Sequence, residues 1–301
     1  MKYAVPFRRA GSLWLLSGIA LMGLLMNTGC SESNSVTDLE PQLPADSTII
    51  IKDEAYGDDP EQRMDIYLPA GRTTAATRSI VFIHGGAWTG GDKDEFSGII
   101  DSLMRQGAAY ACFSINYRLA DIGKNQYPAA AEDVQRALQY IQQQQQRFQV
   151  SPAIALLGTS AGAHLAALQA YKHNEGGNIK AVACLYGVYD LAALFTQTTP
   201  AIQLILTNFM GGIPLQEPEA YQEASPVNYV TTQGAPAFVM YGTQDSIAPV
   251  EQPQQFLQKL EAEGVVHTSV SYESGHGIPP AFAADAWSRT FAFIDAHLGA
   301  E

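Results

Sequence analysis

The sequence predicts an α/β fold, a mostly parallel sheet covered by helices on both faces. From residue 48 onward, short β-rich runs alternate with longer helical patterns, as strand–helix–strand units do. Most of these runs are apolar without interruption, the pattern of strands buried on both faces. The 301 residues are 47% hydrophobic and only 16% charged, enough for a large core and too apolar for a disordered chain. No repeat and no internal break divides residues 48–301, so they read as one body.

The chain opens with Lys2, Arg8 and Arg9 ahead of a 14-residue apolar run over 13–26. A membrane-spanning helix needs about 18 to 20 apolar residues and a signal core about 7 to 15, so residues 1–29 read as an export signal. At its end, Asn27-Thr28-Gly29-Cys30 resembles a bacterial lipoprotein processing site, where small residues precede the cysteine that is lipidated. Asn27 departs from that pattern, which usually has an aliphatic residue there. The resemblance implies a lipid anchor at Cys30, with the body held outside the cytoplasm on a bacterial cell membrane, the outer membrane being one candidate. Residues 31–47 carry two prolines, four acids and few large apolar side chains, so 30–47 reads as a flexible acidic tether. Lys2, Arg8 and Arg9 are the only charges in residues 1–29, and their removal takes the net charge from −13 to −16. That excess repels phosphate backbones and argues against nucleic acid as a partner.

Within the body, 48–51 and 63–68 read as an antiparallel opening pair, the second with Met64, Ile66 and Leu68 on one face. The strands buried on both faces are expected at 79–83, 110–115, 154–157, 181–186, 237–241 and 267–272. Val134, Ala137, Leu138, Ile141 and Phe148 recur at helical spacing and predict one helix over 128–148, with Pro128 in its first turn. The glutamines at 142–146 continue that helix as an exposed end. Residues 191–234 separate two strands by too much chain for a simple connection and read as a cap or lid.

The predicted strand at 154–157 runs into Gly158-Thr159-Ser160-Ala161-Gly162 and then a helical pattern. G-x-S-x-G between strand and helix is a turn so tight that its flanks must be tiny; it lifts a serine above the sheet edge for nucleophilic attack. Upstream, the strand ending at Ile83 opens into His84-Gly85-Gly86-Ala87-Trp88, whose glycines let backbone N–H groups approach an oxyanion. Gly86 and Ala87 N–H, with Gly85 as the alternative, and Ala161 N–H are the candidate donors. Gly86 and Gly91 also have phosphate-loop spacing, but Asp92 stands where that motif needs Lys. A serine needs a base, and His276, in Ser274-Gly275-His276-Gly277 after the last strand, is the best placed of six histidines. His164 is expected to bond within the layer beneath the site and His84 to brace its loop. Asp245, four residues past the strand at 237–241, is the candidate acid; Asp190 is the alternative, and Glu273 a weaker one. Trp88 and residues 191–234 are candidate pocket walls, unless they simply pack in the core.

With those residues in order Ser160, Asp245, His276, the chain resembles the α/β-hydrolase superfamily over about 48–299. It is similar to the esterase branch that includes hormone-sensitive-lipase-like and bacterial feruloyl esterase-like enzymes. The matching segments are His84 to Trp88 with Gly91-Asp92-Lys93, Asn116-Tyr117-Arg118-Leu119, Pro128-Ala129-Ala130, Gly158 to Ala166, Ser225-Pro226, Tyr241 to Asp245 and Gly275-His276-Gly277. Thr159 replaces the usual Asp, Ala163 a Gly, and Ile278 stands where Phe is common. The resemblance implies an eight-stranded sheet in which the Cys112 and Cys184 strands are not neighbours, leaving two buried free thiols. It also implies a serine carboxylesterase without metal or cofactor, acting on short acyl or aryl esters, with polysaccharide-borne acetyl or feruloyl groups as candidates. An arylformamidase or peptidase on the same scaffold, and a non-catalytic binding protein, are the alternatives.

Overall fold

In a computed structural model of the chain, residues 41–298 are described. The predicted export signal, Cys30 and the tether up to residue 40 lie outside the described residues. Eight strands appear in chain order: β1 (Ile49–Ala55), β2 (Arg63–Leu68), β3 (Arg78–Ile83), β4 (Tyr110–Ile115), β5 (Ile154–Thr159), β6 (Ile179–Leu185), β7 (Ala237–Gly242) and β8 (His267–Tyr272). They form one sheet in the order β1-β2-β4-β3-β5-β6-β7-β8. β2 runs antiparallel to both β1 and β4, and every pairing from β4 to β8 is parallel. The predicted opening pair is therefore present, with a bulge between Ile51 and Glu54.

The helices are α1 (Ser97–Arg105), α2 (Ala129–Gln143), α3 (Gln145–Phe148), α4 (Ala161–Lys172), α5 (Leu191–Gln197), α6 (Pro200–Met210), α7 (Pro218–Glu223), α8 (Glu251–Ala262) and α9 (Pro280–Leu298). Alternate residues of each central strand explain the two layers. Val81, Ile83 and Leu156 point to the face covered by α2, α4 and α8, where they meet Val134, Leu165 and Phe256. Ile80, Phe82 and Leu157 point to the other face, against Ile100 of α1 and Phe293 and Ile294 of α9. With both faces covered, every second residue being polar would bury unpaired groups, which is why these strands read as unbroken apolar runs. Each such side chain contributes about 1.5–3 kcal/mol on burial.

Three expectations are corrected. β8 is not buried on both faces: it is the last strand of the sheet, and Thr268, Ser269 and Ser271 are exposed, as an edge strand permits. The single helix over 128–148 is two, broken at Gln144, and the break turns Phe148 into the core beside Phe113, at 5.7 Å between rings. The tether does not extend to residue 47. Buried Arg72 donates to the carbonyls of Pro44, Ser47, Pro69 and Phe148, and Leu43 N–H donates to Arg147 O at 3.1 Å. A guanidinium has five donors in a fixed fork, so one side chain fastens that stretch to the body.

β4 and β6 are separated by β3 and β5, so Cys112 and Cys184 are not neighbours; both are buried and free. Burial pushes both thiols up, Cys184 to about 12, which leaves them inert as nucleophiles.

Candidate active site

The parallel topology brings the carboxyl ends of β3, β5, β7 and β8 to one edge, and the chain beyond each contributes to one constellation. After β5, Ser160 adopts φ 50°, ψ −118°, a left-handed conformation that costs about 1–3 kcal/mol in a non-glycine residue. It is held by its N–H donating to Leu185 O at 2.8 Å and its carbonyl accepting the His164 N–H at 3.1 Å. The flanking glycines are required by contact. A Cβ on Gly158 would fall 2.2 Å from Gly162 O, and one on Gly162 would fall 2.0 Å from Ile83 O.

The structure brings the three triad candidates together. His276 Nε2 lies 2.8 Å from Ser160 Oγ, and His276 Nδ1 lies 2.7 Å from Asp245 Oδ2. Asp245 is aimed by its own loop, since its Oδ1 accepts the N–H groups of Ile247 at 2.8 Å and Ala248 at 2.9 Å. Its carboxylate is 1% exposed, so its remaining acceptor is committed to the imidazole. Nδ1–H donating to Asp245 leaves Nε2 as an acceptor facing the serine hydroxyl. Tyr186, after β6, sets its ring edge against His276 at 5.1 Å.

After β3, residues 84–91 form a tight loop in which Gly86, Ala87 and Trp88 all have positive φ, at 101°, 54° and 60°. The Gly86 carbonyl accepts the N–H groups of Thr89 and Gly90, and a Cβ on Gly86 would fall 2.1 Å from Gly90 O. The loop abuts the turn that carries Ser160: a Cβ on Gly85 would fall 3.4 Å from Ser160 Cβ. The N–H groups of Gly86, Ala87 and Ala161 have no partner among the described residues. Gly85, the alternative donor, is corrected: its N–H is taken by Glu95 Oε2 at 2.9 Å.

The loop's far end is anchored as firmly. Asn116 Nδ2 donates to Asp92 at 2.9 Å, and Asn116 Oδ1 accepts the Lys93 N–H at 2.6 Å. Lys93 Nζ sits 3.0 Å from Asp53 and 3.3 Å from buried Asp65. His84 is buried, its ring stacked on Tyr117 at 4.3 Å and its Nδ1 2.7 Å from Gly85 O, so it braces the loop.

Trp88 is corrected from pocket wall to core. It is 4% exposed, stacked on Phe209 of α6 at 4.4 Å, and its Nε1–H donates to His164 Nδ1 at 3.1 Å. His164 in turn donates from Nε2 to Ala224 O at 2.6 Å, and burial pulls its imidazole down to about 4, so it stays neutral. Asp190 caps α5 by accepting the Ala193 N–H at 2.9 Å, and Glu273 accepts from Gln244 at the surface. Neither is directed to His276. Residues 191–234 form α5, α6, α7 and a 3-10 turn (Pro226–Tyr229), and join α4 through the His164 and Trp88 contacts. A shallow cleft of about 230 Å³ borders Gly275 to Pro279 at the site. A larger groove of about 760 Å³ lies elsewhere, between α1 and α9 near the start of β3 and β4.

Sequence reasoning missed Tyr186 and Glu95. Each lies in a segment without a recognisable motif, and only the strand order brings it to the site.

This sheet order, with a G-x-S-x-G turn after β5, defines an α/β-hydrolase fold. Residues 64–260 match the BD-FAE family model, and the chain belongs to that family. Esterase LipC of Mycobacterium tuberculosis is 31% identical over 244 residues, 74% of this chain and 58% of LipC. The chain spans about half the length of the first curated relatives it matches, 48% for LipM and 47% for LipQ of the same organism. A kynurenine formamidase of Meyerozyma guilliermondii is 26% identical, with 70% of this chain and 80% of that protein covered. Among solved structures, a truncated carbohydrate esterase from gut microbiota shares the fold at a TM-score of 0.73 and 21% identity, over 86% of this chain and 99% of that one.

Proposed function

We propose that the protein is a serine carboxylesterase in which Ser160, His276 and Asp245 form the catalytic triad. The observation that carries this reading is the continuous hydrogen-bonded path from Ser160 Oγ through His276 to Asp245, at 2.8 and 2.7 Å. Ser160 Oγ attacks the ester carbonyl as His276 Nε2 takes its proton, and Asp245 holds the imidazolium that forms. The N–H groups of Gly86, Ala87 and Ala161 receive the tetrahedral oxyanion; fixed donors of this kind are worth about 100- to 1000-fold each in rate. His276 then protonates the departing alkoxide, and the ester C–O bond breaks to leave the acyl group on Ser160. Water attacks that acyl carbon as His276 takes its proton, and the proton returns to Ser160 Oγ as the acid leaves.

The substrates we assign are short acyl or aryl esters, with acetyl or feruloyl groups on polysaccharides as the natural class. The similarity to esterases and to a carbohydrate esterase supports that assignment. Residues 191–234 serve as the cap over the cleft, and lipidation at Cys30 holds the enzyme to an exterior membrane face. The catalytic reading is tested with a short p-nitrophenyl ester and a fluorophosphonate probe. Wild type turns over the ester and is labelled, and Ser160→Ala does neither; activity retained in Ser160→Ala would overturn it. A second reading, arylformamidase, is supported by the kynurenine formamidase relative and keeps the same triad. N-formylkynurenine hydrolysis faster than that of any ester in a panel would favour it.

A further inference from the structure

We infer that Glu95 and Thr159 are positioning residues: the Glu95 carboxylate clasps the loop that presents Gly86 and Ala87 to the turn that presents Ser160. The inference rests on the serine-hydrolase reading above and assigns a function to two residues outside the triad. Glu95 Oε2 accepts the Gly85 N–H at 2.9 Å, and Glu95 Oε1 accepts the Thr159 hydroxyl at 2.6 Å. The two donors sit at the ends of adjacent parallel strands, β3 and β5, each one residue before a residue of the proposed machinery. The loops already touch there, since a Cβ on Gly85 would fall 3.2 Å from both Thr159 O and Thr159 Oγ1. Contact alone lets loops slide. A carboxylate bonded to both fixes their separation, through charge-assisted bonds roughly twice as strong as neutral ones.

Glu95 is itself anchored. It lies in the 3-10 turn Lys93–Phe96, whose first turn Asp92 caps by accepting the Asp94 N–H at 2.9 Å. Its own N–H donates to Asp92 O at 3.0 Å, and the neighbours Lys93 and Phe96 are buried. A glutamate on a surface turn has no packing reason to hold one rotamer, and freezing it costs side-chain entropy. The two bonds supply the reason.

The effect passes through peptide planes. Gly85 N–H is held by Glu95, while Gly85 O accepts from Tyr117 at 3.3 Å and lies 2.7 Å from His84 Nδ1. Glu95 thus holds the His84–Gly85 peptide by its N–H, Tyr117 and His84 hold the Gly85–Gly86 peptide by its carbonyl, and with both planes fixed the Gly86 N–H is aimed. On the other side the Thr159 hydroxyl ties down the residue before Ser160, whose own N–H is held by Leu185 O at 2.8 Å. The clasp therefore sets the distance between nucleophile and oxyanion donors, a distance that matters only when the tetrahedral oxyanion forms. Its loss lowers kcat and leaves KM in place.

The test uses the full chain with a short p-nitrophenyl ester and a fluorophosphonate probe. Glu95→Ala and Thr159→Val are each expected to lower kcat and the phosphonylation rate about tenfold, with KM within about twofold and the melting temperature little changed. The double variant is expected to lose no more than the worse single one, because either change opens the clasp. Thr159→Ser restores the hydroxyl. Glu95→Gln restores the bridge, its Oε1 accepting from Gly85 and its Nε2 donating to Thr159 Oγ1. Both are expected within about threefold of wild type. Wild-type kcat in Glu95→Ala and Thr159→Val, losses that multiply in the double variant, or a rise in KM at constant kcat would each overturn the clasp. A wild type that neither hydrolyses ester nor takes the probe overturns the serine reading instead, which keeps the two failures apart. Should Thr159→Val fail to fold, Glu95→Ala against Glu95→Gln decides the same question.

Discussion

Replacing Asp245 by asparagine keeps the shape of the site and is expected to reverse its proton. Asp245 Oδ1 accepts two backbone N–H groups, from Ile247 and Ala248 at 2.8 and 2.9 Å. The asparagine oxygen must occupy that position, because its amide NH2 there would face two donors. The NH2 group then points at His276 Nδ1, which now has to accept, so the imidazole proton moves to Nε2. An Nε2–H directed at Ser160 Oγ across 2.8 Å cannot take the serine proton. The imidazolium formed in the transition state also loses its carboxylate partner. Loss of base and counter-charge together is expected to cut kcat/KM by about 1,000- to 10,000-fold, or about 4–5.5 kcal/mol of transition-state stabilisation. The assay is steady-state hydrolysis of a short p-nitrophenyl ester near neutral pH, with a melting curve to verify that the variant folds. A folded Asp245→Asn enzyme within tenfold of wild type would refute the reasoning, and would point to another residue orienting His276.

Three further variants concern the scaffold. Gly162→Ala drives a methyl to within 2.0 Å of Ile83 O and 2.4 Å of His84 O, both backbone atoms that cannot swing away, and is expected to cost about 3 kcal/mol. Gly98→Ala, in α1 with open space around its Cβ position, is expected to stabilise by about 0.5–1 kcal/mol; urea unfolding of the pair reads both, and equal effects refute the contact argument. His164, held neutral with its imidazole pulled down to about 4, returns on unfolding to the ordinary value of about 6.5. Its contribution is therefore full above about pH 6.5 and is lost as pH falls toward 4, on the order of 3 kcal/mol. His164→Gln is expected to lack that part of the pH slope in urea unfolding, and parallel slopes would exclude His164 as its source.

What was legible in the sequence was local. Strands buried on both faces announce themselves as apolar runs, and the G-x-S-x-G turn is legible because strand, turn and helix are contiguous from Ile154 to Lys172. Asp245 and His276 were accessible for a related reason. Each follows a strand by a few residues, and parallel strands deliver their carboxyl ends to one edge. Legibility failed where a side chain's partner comes from a distant segment. Trp88 reads as a pocket wall beside two glycines, yet its indole turns inward because Phe209 and His164 offer a stacking face and an acceptor. Nothing in the sequence sets Arg72 apart, while the carbonyls of Pro44, Ser47, Pro69 and Phe148 accept from its guanidinium and make its burial favourable. β8 is grouped with its neighbours although His267, Thr268, Ser269 and Ser271 are polar, the mark of a strand with a face open to solvent.

The same distinction explains why the pairing of Glu95 with Thr159 was invisible. Thr159 is separated from Glu95 by 64 residues, and neither belongs to a pattern that calls for the other. Their pairing depends on β3 lying beside β5 with β4 displaced outward, an order no local signal encodes. Given that order, the consequence is immediate. The turns after β3 and β5 must face each other, and a carboxylate carried by the next turn of the chain can bond the N–H of one and the hydroxyl of the other. In the proposed mechanism, chemistry that brings Ser160 and the Gly86 and Ala87 N–H groups to one oxygen would therefore depend on a residue outside the triad. Placing that carboxylate at residue 159 itself would set it against Glu95 as a like charge and push the two loops apart. Thr159→Asp should accordingly be slower than Thr159→Val, and adding Glu95→Gln should recover the loss, because the new amide can accept from Gly85 and donate to the carboxylate. A Thr159→Asp enzyme as fast as wild type would show that the separation of the loops is set elsewhere.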